Sequence, residues 1–176
     1  DFITEYGKEH PQFKLVQLAA NRGQSTALCA GFGRAVGEYV ITLDADGQNN
    51  PADIEKMIPY LADYEMVNGW RHKRQDSWIT KISSRVANYV RNYLSREEIN
   101  DTGCSLKIMK TSILKKIILF DGAHRFLPTL MRMNGARVIE IPVSHRPRVA
   151  GTSKYGTLDR AFRGLRDLLG VRWLQD

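Results

Sequence analysis

Short apolar runs rich in β-branched residues alternate with amphipathic stretches along most of this 176-residue chain. Continuous apolar runs predict buried strands, whereas apolar residues three or four positions apart predict helices. Strands are expected over residues 13–18, 39–43, 65–68, 105–109 and 138–143, and helices over 24–36, 51–61, 77–93, 111–118, 125–134 and 157–169. This alternation predicts an α/β domain in which helices flank a mostly parallel sheet.

Several of these elements carry finer expectations. The run from Tyr39 to Leu43 is nearly all apolar, as is typical of a strand buried on both faces. Gly135 follows the helix 125–134 in the position where a left-handed glycine commonly ends a helix. Two helices have an apolar stripe that should face the core. Its members are Leu28, Phe32, Ala35 and Val36 in the helix from residue 24, and Ile54, Met57, Ile58 and Leu61 in the helix from residue 51.

The composition is that of an ordinary globular protein, with 43% hydrophobic and 26% charged residues, which excludes general disorder. No apolar run approaches the roughly 20 residues of a membrane-spanning helix. The polar opening from Asp1 to His10 has no signal-peptide character. Cys29 and Cys104 make no disulfide framework, and each is expected to be a small core residue in a reduced, cytosolic setting.

The net charge is +7, and most of the excess lies in two segments. Seven lysines and arginines fall between residues 71 and 96, and seven more between residues 146 and 172. Clustered positive charge indicates an anionic partner, which is a phosphate group, a nucleic acid or an acidic membrane surface. A solvated helix face is an equal alternative for either segment taken alone.

Two aspartates, Asp44 and Asp46, directly follow the apolar run 39–43, at the end of a strand where α/β sheets bind their ligands. In an extended segment alternate side chains point the same way, so both carboxylates can serve one cation. Such oxygen ligands, with the amide of Gln48, suit Mg²⁺ or Mn²⁺, and substrate phosphates would complete the coordination. A polar strand-end turn, with Gly47 at a positive φ, is the alternative.

Sequence blocks spread in order over residues 13–170 together resemble glycosyltransferase family 2, which has the GT-A fold, and in particular its dolichyl-phosphate mannosyltransferase-like branch. The blocks are Asn21-Arg22-Gly23-Gln24, Ala30-Gly31-Phe32, Ala35-Val36-Gly37, Val40 to Pro51, Gly69-Trp70-Arg71, Asp101 to Ser105 and Arg148 to Gly156. The resemblance implies a Rossmann-like GT-A domain. It also implies inverting transfer of a sugar from a nucleotide-sugar, of the GDP-mannose or UDP-glucose type, to polyprenyl phosphate.

On the donor side, the resemblance implies that Asp44 and Asp46 hold a divalent metal, Mg²⁺ or Mn²⁺, together with the nucleotide diphosphate. Gln48 is expected to be a further metal ligand, and Asp46 to be the residue on which catalysis depends most. The absence of a His/Cys cluster in the sequence argues against zinc. His72, His124 and His145 are expected to have structural or surface roles.

Three cationic residues are expected at the donor phosphates. Arg71 matches an arginine that approaches them in relatives, and its alternative is a surface arginine within the basic segment. Arg148 and Lys154 match residues of a loop that closes on the diphosphate in relatives, and both are expected to be catalytic. Lysine acts there as a point charge and arginine as a planar fork. A flexible basic loop is the alternative for this pair.

On the acceptor side, Ser84 and Arg85 match a helical pair that receives the lipid phosphate in relatives. The basic residue that relatives tend to carry four positions earlier is Thr80 here, and Lys81 is expected to substitute for it. Asp101 lies where other enzymes of this fold have an acid that deprotonates an acceptor hydroxyl. Because a phosphate monoester has a second pKa near 6, it needs little base catalysis. Asp101 is therefore expected to position groups or to contribute weak electrostatic stabilisation.

The chain is expected to comprise a partial catalytic domain over residues 1–156 and an amphipathic juxtamembrane helix over residues 157–176. An apolar helix face rimmed with arginine can lie on an anionic membrane, and packing onto the sheet is an equal alternative. The resemblance favours the cytoplasmic face of a membrane, in bacteria the inner membrane. The apolar face contains Leu158, Ala161, Phe162, Leu165, Leu168 and Leu169, opposed by Arg160, Arg163 and Arg166.

The expected partners are a nucleotide-sugar, a polyprenyl phosphate and a membrane surface, without nucleic acid; a homo-oligomer is left open. Family members begin with a strand and a helix that grip the nucleotide base, so the chain is expected to be N-terminally truncated. Two alternatives to the main hypothesis remain. One is a glycosyltransferase of the same fold with a saccharide hydroxyl as acceptor. The other is a non-catalytic basic module that binds a membrane or nucleic acid, for which aromatic stacking motifs are missing.

Overall fold

The computed structural model describes residues 2–71, 99–146 and 157–175. The helices are α1 Phe2–Glu9, α2 Gln24–Arg34, α3 Asp53–Met57, α4 Thr111–Leu114, α5 Leu127–Met133 and α6 Thr157–Gln175. Short 3-10 helices, Ile58–Ala62 and Ala123–Phe126, follow α3 and precede α5. The helix predicted over 77–93 lies outside the described residues. Among the helices that are described, none is both long enough and apolar enough to cross a membrane.

In the part of the chain that the structure describes, four strands form one open sheet: β1 Tyr39–Thr42, β2 Met66–Trp70, β3 Lys107–Lys110 and β4 Val138–Pro142. Their order is β1-β3-β2-β4, with β2 and β4 parallel and β3 antiparallel to both of its neighbours. The α/β class is confirmed. Within the described residues, however, the sheet is mixed rather than mostly parallel, because the reversed strand β3 lies between β1 and β2.

The reversal of β3 determines where the preceding loop lies. Lys107, the first residue of β3, pairs with Thr42 at the end of β1 and with Asn68 near the end of β2. The residues just before Lys107 therefore lie at the carboxyl ends of both strands. This places the 101–105 segment beside both the acidic motif after β1 and Arg71 after β2.

The sheet has a hydrophobic cluster on each face. Met66 and Met109 pack with Phe32 of α2 and with Leu127 and Met131 of α5. On the opposite face, Val67 and Ile108 pack with Met57 of α3. Neighbouring residues of β2 thus point to opposite sides, as the period of two in a strand requires.

Two sequence predictions about the strands are wrong. Residues 13–18 form no strand, and Phe13 and Leu15 are exposed, because no ladder partner lies beside them in the described structure. The run from Tyr39 to Leu43 is not buried on both faces. Among the described residues it is an edge strand, and Ile41 is 45% exposed. Apolar character alone does not reveal how many strands flank a given strand.

The predicted helices that fall within the described residues are present, but several are shorter than expected. The helix from residue 24 ends at Arg34, and Val36 is 94% exposed, because Ala35 has an extended backbone. The α-helix after Asn50 continues only as a 3-10 turn, since Pro59 lacks an amide hydrogen for helix bonding, and Ile58 is exposed. Gly135 has a φ of 86°, which confirms the predicted helix stop.

The helix α6 packs against the rest of the chain through its described side chains. Leu168 and Val171 are buried against Ala123, Phe126 and Leu130. Leu169, which the sequence placed on the same face as Leu168, is 55% exposed, because successive helical residues are rotated by about 100°. This part of the helix therefore packs on the domain, but against α5 and the 3-10 helix before it rather than onto the sheet as the alternative had it.

The two cysteines differ in their environments. Cys104 is buried, as predicted, and burial raises the pKa of its thiol. Cys29 is exposed, so its assignment to the core is wrong. The inward face of α2 is occupied instead by Leu28 and Phe32, which precede and follow Cys29 on the helix.

Candidate active site

The acidic motif follows β1 and ends in a turn. The chain is not extended past Asp44, because Ala45 and Asp46 form a turn in which Gly47 has a φ of 74°. The amide of Gln48 donates a hydrogen bond to Asp46 Oδ1 at 3.1 Å. The alternation of an extended strand therefore does not relate the two carboxylates, contrary to the sequence argument.

The motif is tied to the 101–105 segment through one serine. The amide of Asp44 donates to Ser105 Oγ at 3.4 Å, and Asn49 Nδ2 donates to the same oxygen at 2.6 Å. Thr42 Oγ1 donates to the Ser105 carbonyl at 2.6 Å. From the other side, Gln24 Nε2 of α2 donates to Asp44 Oδ1 at 3.3 Å. These contacts fix the start of the motif relative to the loop before β3.

The end of the motif is tied to residues 144–146, which follow β4. Arg146 donates its amide to the Gln48 carbonyl at 2.9 Å, and Asn49 forms an isolated β-bridge with His145. The side-chain amide nitrogen of Gln48 lies 3.4 Å from His145 Nε2. His145 thus has a structural contact in the candidate site, as expected of it from the sequence.

A buried carboxylate reinforces this connection. Asp53, at the start of α3, is fully buried and accepts hydrogen bonds from the amide of Ser144 at 2.8 Å and from the Ser144 hydroxyl. Its other partner is Lys56 at 2.5 Å. Burial alone would raise the pKa of Asp53, but the hydrogen bonds from Lys56 and Ser144 lower it below its ordinary value.

The donor set of the motif fits a hard divalent cation. It offers the carboxylates of Asp44 and Asp46 and the side-chain amide of Gln48, all oxygen-bearing groups of the kind that Mg²⁺ and Mn²⁺ prefer. Asn49 adds a buried Oδ1 atom that accepts no hydrogen bond within the described part of the chain. No group of three or more His, Cys, Asp or Glu suited to a metal lies within that part. Such a site would therefore rely on phosphate oxygens to complete its coordination.

Arg71, which directly follows β2, and Asp101, in the loop before β3, form a two-armed ion pair. Arg71 Nε donates to Asp101 Oδ2 at 2.7 Å and Nη2 donates to Oδ1 at 2.8 Å. The amide of Arg71 also donates to Oδ2 at 3.2 Å. Although burial alone would raise the pKa of Asp101, the hydrogen bonds and charge of Arg71 lower it below its ordinary value. Asp101 is thus a weak base with both oxygens engaged.

Two residues that the sequence reasoning missed hold the backbone of this pair. Glu140 of β4 accepts from the amides of Asp101 at 2.9 Å and Asn100 at 2.6 Å. Asn68, fully buried in β2, donates to the Asp101 carbonyl at 2.9 Å and to Glu140 at 3.1 Å. Polar residues inside predicted strands were the available signal, since a buried strand side chain of this kind needs a partner.

A third missed residue is Lys107, the first residue of β3, which is 2% exposed. Its Nζ atom donates to the carbonyl oxygens of Thr102 at 3.2 Å and of Cys104. Burial lowers the pKa of Lys107 to about 8. A lysine within an otherwise apolar predicted strand was the signal in the sequence.

A cleft of about 830 Å³ lies beside Asp44, Lys107 and the 102–105 segment, whereas Asp46, Gln48, Arg71 and Asp101 are not among its lining residues. Its walls are α2, the exposed edge of β1, the 102–105 segment and residues 121–127, and Asp44 and Lys107 are among its lining residues. His124 also lines the cleft, but it is bound to the buried Ser25 hydroxyl at 2.9 Å. Burial lowers the pKa of His124, which agrees with the structural role predicted for it.

The structure brings part of the predicted site together. Asp44, Asp46 and Gln48 lie in one turn, and the 101–105 segment joins this turn to Arg71 and Asp101. The other predicted residues, Lys81, Ser84, Arg85, Arg148 and Lys154, lie outside the described residues, as does His72.

The sequence blocks that carry the family resemblance include the acidic turn, Arg71 and Asp101. The chain belongs to glycosyltransferase family 2, since the model of that family, Glycosyl transferase family 2, matches residues 1–118.

Curated relatives extend this likeness over most of the chain. The dodecaprenyl-phosphate galacturonate synthase of Rhizobium johnstonii is 38% identical over 170 residues, which cover 94% of this chain and 50% of the relative. The undecaprenyl-phosphate 4-deoxy-4-formamido-L-arabinose transferase of Edwardsiella ictaluri is 37% identical over 160 residues, covering 89% of this chain and 49% of the relative. The chain therefore spans about half the length of the curated relatives it matches.

Solved structures agree on the fold. Glucosyl-3-phosphoglycerate synthase from Mycobacterium tuberculosis, solved with Mn²⁺ and UDP-glucose, superposes with a TM-score of 0.62 at 14% identity over 94% of this chain and 58% of that chain. A mycobacterial protein superposes with a TM-score of 0.63 at 14% identity over 90% of this chain and 56% of that chain. The GT-A fold expected from the sequence is thereby confirmed.

Proposed function

We propose that this chain is the catalytic part of an enzyme that transfers a sugar from a nucleotide-sugar to a polyprenyl phosphate. The observation that carries the proposal is the identity of 38% and 37% with relatives whose names join a sugar to dodecaprenyl or undecaprenyl phosphate. The matched regions cover about nine-tenths of the chain, so they span the segments that hold the acidic turn and the Arg71–Asp101 pair.

The state of Asp101 supports a phosphate rather than a hydroxyl as the nucleophile. A hydroxyl acceptor needs a base to remove its proton, and the lowered pKa and two-armed pairing of Asp101 make it unsuited to that role. A phosphate monoester is largely ionised near neutral pH. Its oxygen can form the new bond to the anomeric carbon while the bond between that carbon and the nucleoside diphosphate breaks. The nucleoside diphosphate leaves with the electron pair of that bond, and no proton has to be removed.

On the donor side, Asp44, Asp46 and Gln48 would hold Mg²⁺ or Mn²⁺. When bound, the cation would supply neutralisation of the charge on the diphosphate leaving group. The chain's own residues have the tasks of orienting the donor and excluding water from the reacting carbon. We assign phosphate binding to Arg71, Arg148 and Lys154, and contact with the lipid phosphate to Lys81, Ser84 and Arg85.

A membrane surface is the proposed site of the reaction, because the acceptor is a lipid. The exposed side of α6 supports this, since Leu169 and Trp173 lie one turn apart and Trp173 is 78% exposed, with Arg166 also exposed. Tryptophan and arginine are suited to the boundary between lipid headgroups and acyl chains. The proposed location is the cytoplasmic face of a bacterial inner membrane, with residues 157–176 as the juxtamembrane helix.

The proposal can be tested on the complete gene product that contains this chain. Calorimetric titration with GDP-mannose and a panel of UDP-sugars, with and without Mn²⁺, would identify the donor. Labelled donor would then be incubated with undecaprenyl phosphate, and the lipid product extracted. Metal-dependent donor binding and labelled lipid are expected.

Two other results would redirect the assignment. Transfer to a saccharide without lipid phosphate, abolished by Asp101→Asn, would indicate a hydroxyl acceptor. Salt-sensitive binding to polyanions whose affinity is unchanged by Asp44→Asn and Asp46→Asn, without any sugar transfer, would indicate a non-catalytic basic module.

A further inference from the structure

Lys107 lines the cleft, and its buried ammonium group has no carboxylate among its two hydrogen-bond partners in the described part of the chain. Its ammonium group donates to two backbone carbonyls of one turn, those of Thr102 and Cys104. Burying an ammonium group on neutral acceptors is costly. Methionine would fill similar space without that cost, so the charge points to a use beyond packing.

The turn held by Lys107 carries one half of the candidate site at its start. Asp101 takes both arms of Arg71 there. Gly103 packs so closely on the same guanidinium that an added Cβ would lie 3.1 Å from Arg71 Nη2. A shift of this turn would therefore move the ion pair.

The other half of the site is fixed at the end of the same turn. Ser105 accepts hydrogen bonds from the amide of Asp44 and from the side chain of Asn49. Lys107 also pairs in the sheet with Thr42, two residues before Asp44. The turn thus links the acidic motif to the Arg71–Asp101 pair, and the buried ammonium group of Lys107 binds two carbonyl oxygens of this turn.

The charges around Lys107 agree with this position between the two halves. Asp101 and Asp44 act on its ammonium group favourably, and Arg71 acts unfavourably. Part of the positive charge of Arg71 is balanced by its ion pair with Asp101. The charge of Lys107 therefore lies between the two halves, in a residue that shares the wall of the cleft with Asp44 and the 102–105 segment.

We infer that Lys107 is a positioning residue of the transfer reaction, which keeps the 102–105 turn in place between Asp44 and the Arg71–Asp101 pair and favours an anionic diphosphate in the cleft. The inference rests on the proposed function. Charge on the leaving diphosphate grows as its bond to the sugar breaks, so a fixed positive charge stabilises the transition state more than the bound donor.

The test compares Lys107→Met and Lys107→Arg with the unmodified complete gene product, using lipid transfer and calorimetry with UDP or GDP, whichever nucleotide the donor carries. Lys107→Met is expected to lower kcat about 100-fold while the KM for the donor changes less than about five-fold. Lys107→Arg keeps the charge, so its kcat should be at least about a tenth of the kcat of the unmodified protein. Lys110→Met, at the other end of β3, is the matched control and should behave as the unmodified protein.

Failure of the inference is distinct from failure of the proposed function. If the unmodified protein makes no polyprenyl-phosphate product, the proposed function fails. If it does, and folded Lys107→Met keeps its kcat and nucleotide affinity, or folded Lys107→Arg is as impaired as Lys107→Met, the role of Lys107 is refuted. Should Lys107→Arg not fold, Lys107→Ala is assayed with n-butylammonium and with n-butanol. Recovery with the amine alone supports the inference, and no recovery with the amine overturns it.

Discussion

Arg71 and Asp101 join the end of β2 to the loop before β3 through two parallel side-chain hydrogen bonds of 2.7 and 2.8 Å. The side chains of both residues are largely buried. Because neither carboxylate oxygen of Asp101 is left without this partner, the pair is an element of the site's framework. The arginine is held in place by the acid, and the acid is kept ionised by the arginine.

Asp101→Asn should therefore reduce lipid transfer much less than Asp46→Asn. We expect a loss of about 10-fold to 100-fold for Asp101→Asn, because Arg71 loses a charged partner and shifts, and a loss of at least about 1,000-fold for Asp46→Asn. Initial rates with saturating undecaprenyl phosphate would measure both. Equal losses, with both variants folded, would contradict the assignment of Asp101 to positioning.

The same substitution should also lower stability. Asp101→Asn leaves the largely buried guanidinium of Arg71 without its counter-charge, which typically costs about 3–5 kcal/mol. Thermal unfolding of the complete gene product would measure the change, with Glu65→Gln as the control. Glu65 is paired with Arg137, whose side chain is 62% exposed, so water can replace the lost partner and a smaller loss is expected. A larger loss for Glu65→Gln would be inconsistent with this account.

The buried Lys107 gives the fold a distinctive pH dependence. Its pKa is lowered to about 8 in the folded protein from 10.5. Between these values the unfolded chain binds the proton more tightly, so the free energy of unfolding should rise as pH increases from 8 to 10.5. Over the whole interval the free energy of unfolding should rise by about 3 kcal/mol. Lys107→Met should lack this contribution.

The measurement is a comparison of denaturant unfolding of the two proteins at pH 7, 9 and 10.5. Other lysines and tyrosines titrate in both, so the difference between the two curves isolates Lys107. A difference that stays constant with pH would show that the ammonium group is not disfavoured by its burial.

The sequence predicted local features better than non-local ones. Gly135 was identified correctly because a left-handed helix stop depends on a few neighbouring residues. The burial of Tyr39 to Leu43 was predicted wrongly, since it depends on which strands lie on either side. Residue spacing also placed Asp44 and Asp46 on an extended strand, whereas the turn at Ala45 ends that strand.

The same difference between local and non-local features applies to the candidate site. Asp44, Asp46 and Gln48 form a compact motif that can be recognised from spacing and resemblance. Asn68 and Glu140 could not be recognised, because their role arises only when β2 and β4 pair and bring them to the backbone of Asp101. Contacts of this kind depend on strand order, which no local pattern specifies.

Asp53 offers a test of the connection between the acidic turn and residues 144–146. Asp53→Asn should cost about 2–3 kcal/mol, because a buried carboxylate that accepts two hydrogen bonds from Ser144 loses its charge. Ser144→Ala removes only the hydroxyl and should cost less. Lys56→Met removes the 65% exposed partner of this carboxylate and should also cost less than Asp53→Asn, because water can take its place.

The lowered pKa of Asp53 adds a prediction about acid. Its contribution to stability is present above the ordinary value of 3.8 and is lost as pH falls through the lower folded value. The stability difference between the unmodified protein and Asp53→Asn should therefore shrink below about pH 4. A difference that is unchanged in acid would show that the charge of Asp53 is not what stabilises the fold.

Two glycines with nearly the same backbone conformation should respond differently to alanine. Gly122 has a φ of 89° and Gly135 a φ of 86°, so alanine at either position costs about 1 kcal/mol for the left-handed backbone. At Gly135 an added Cβ meets nothing within 4 Å, whereas at Gly122 it would collide with the carboxylate of Asp167. Asp167 is buried on α6, so it has little room to move.

Gly122→Ala should therefore lower the midpoint of thermal unfolding clearly more than Gly135→Ala, by an additional cost of about 1–3 kcal/mol for overpacking. The double variant Gly122→Ala with Asp167→Ala removes the collision and should recover part of that additional loss, although it also removes the ion partner of Arg125. Differential scanning calorimetry of the three variants would measure these effects. If the two single variants lower the unfolding midpoint equally, α6 does not pack against residue 122 in the way described. The assignment of Leu168 and Val171 to the core would then also be wrong.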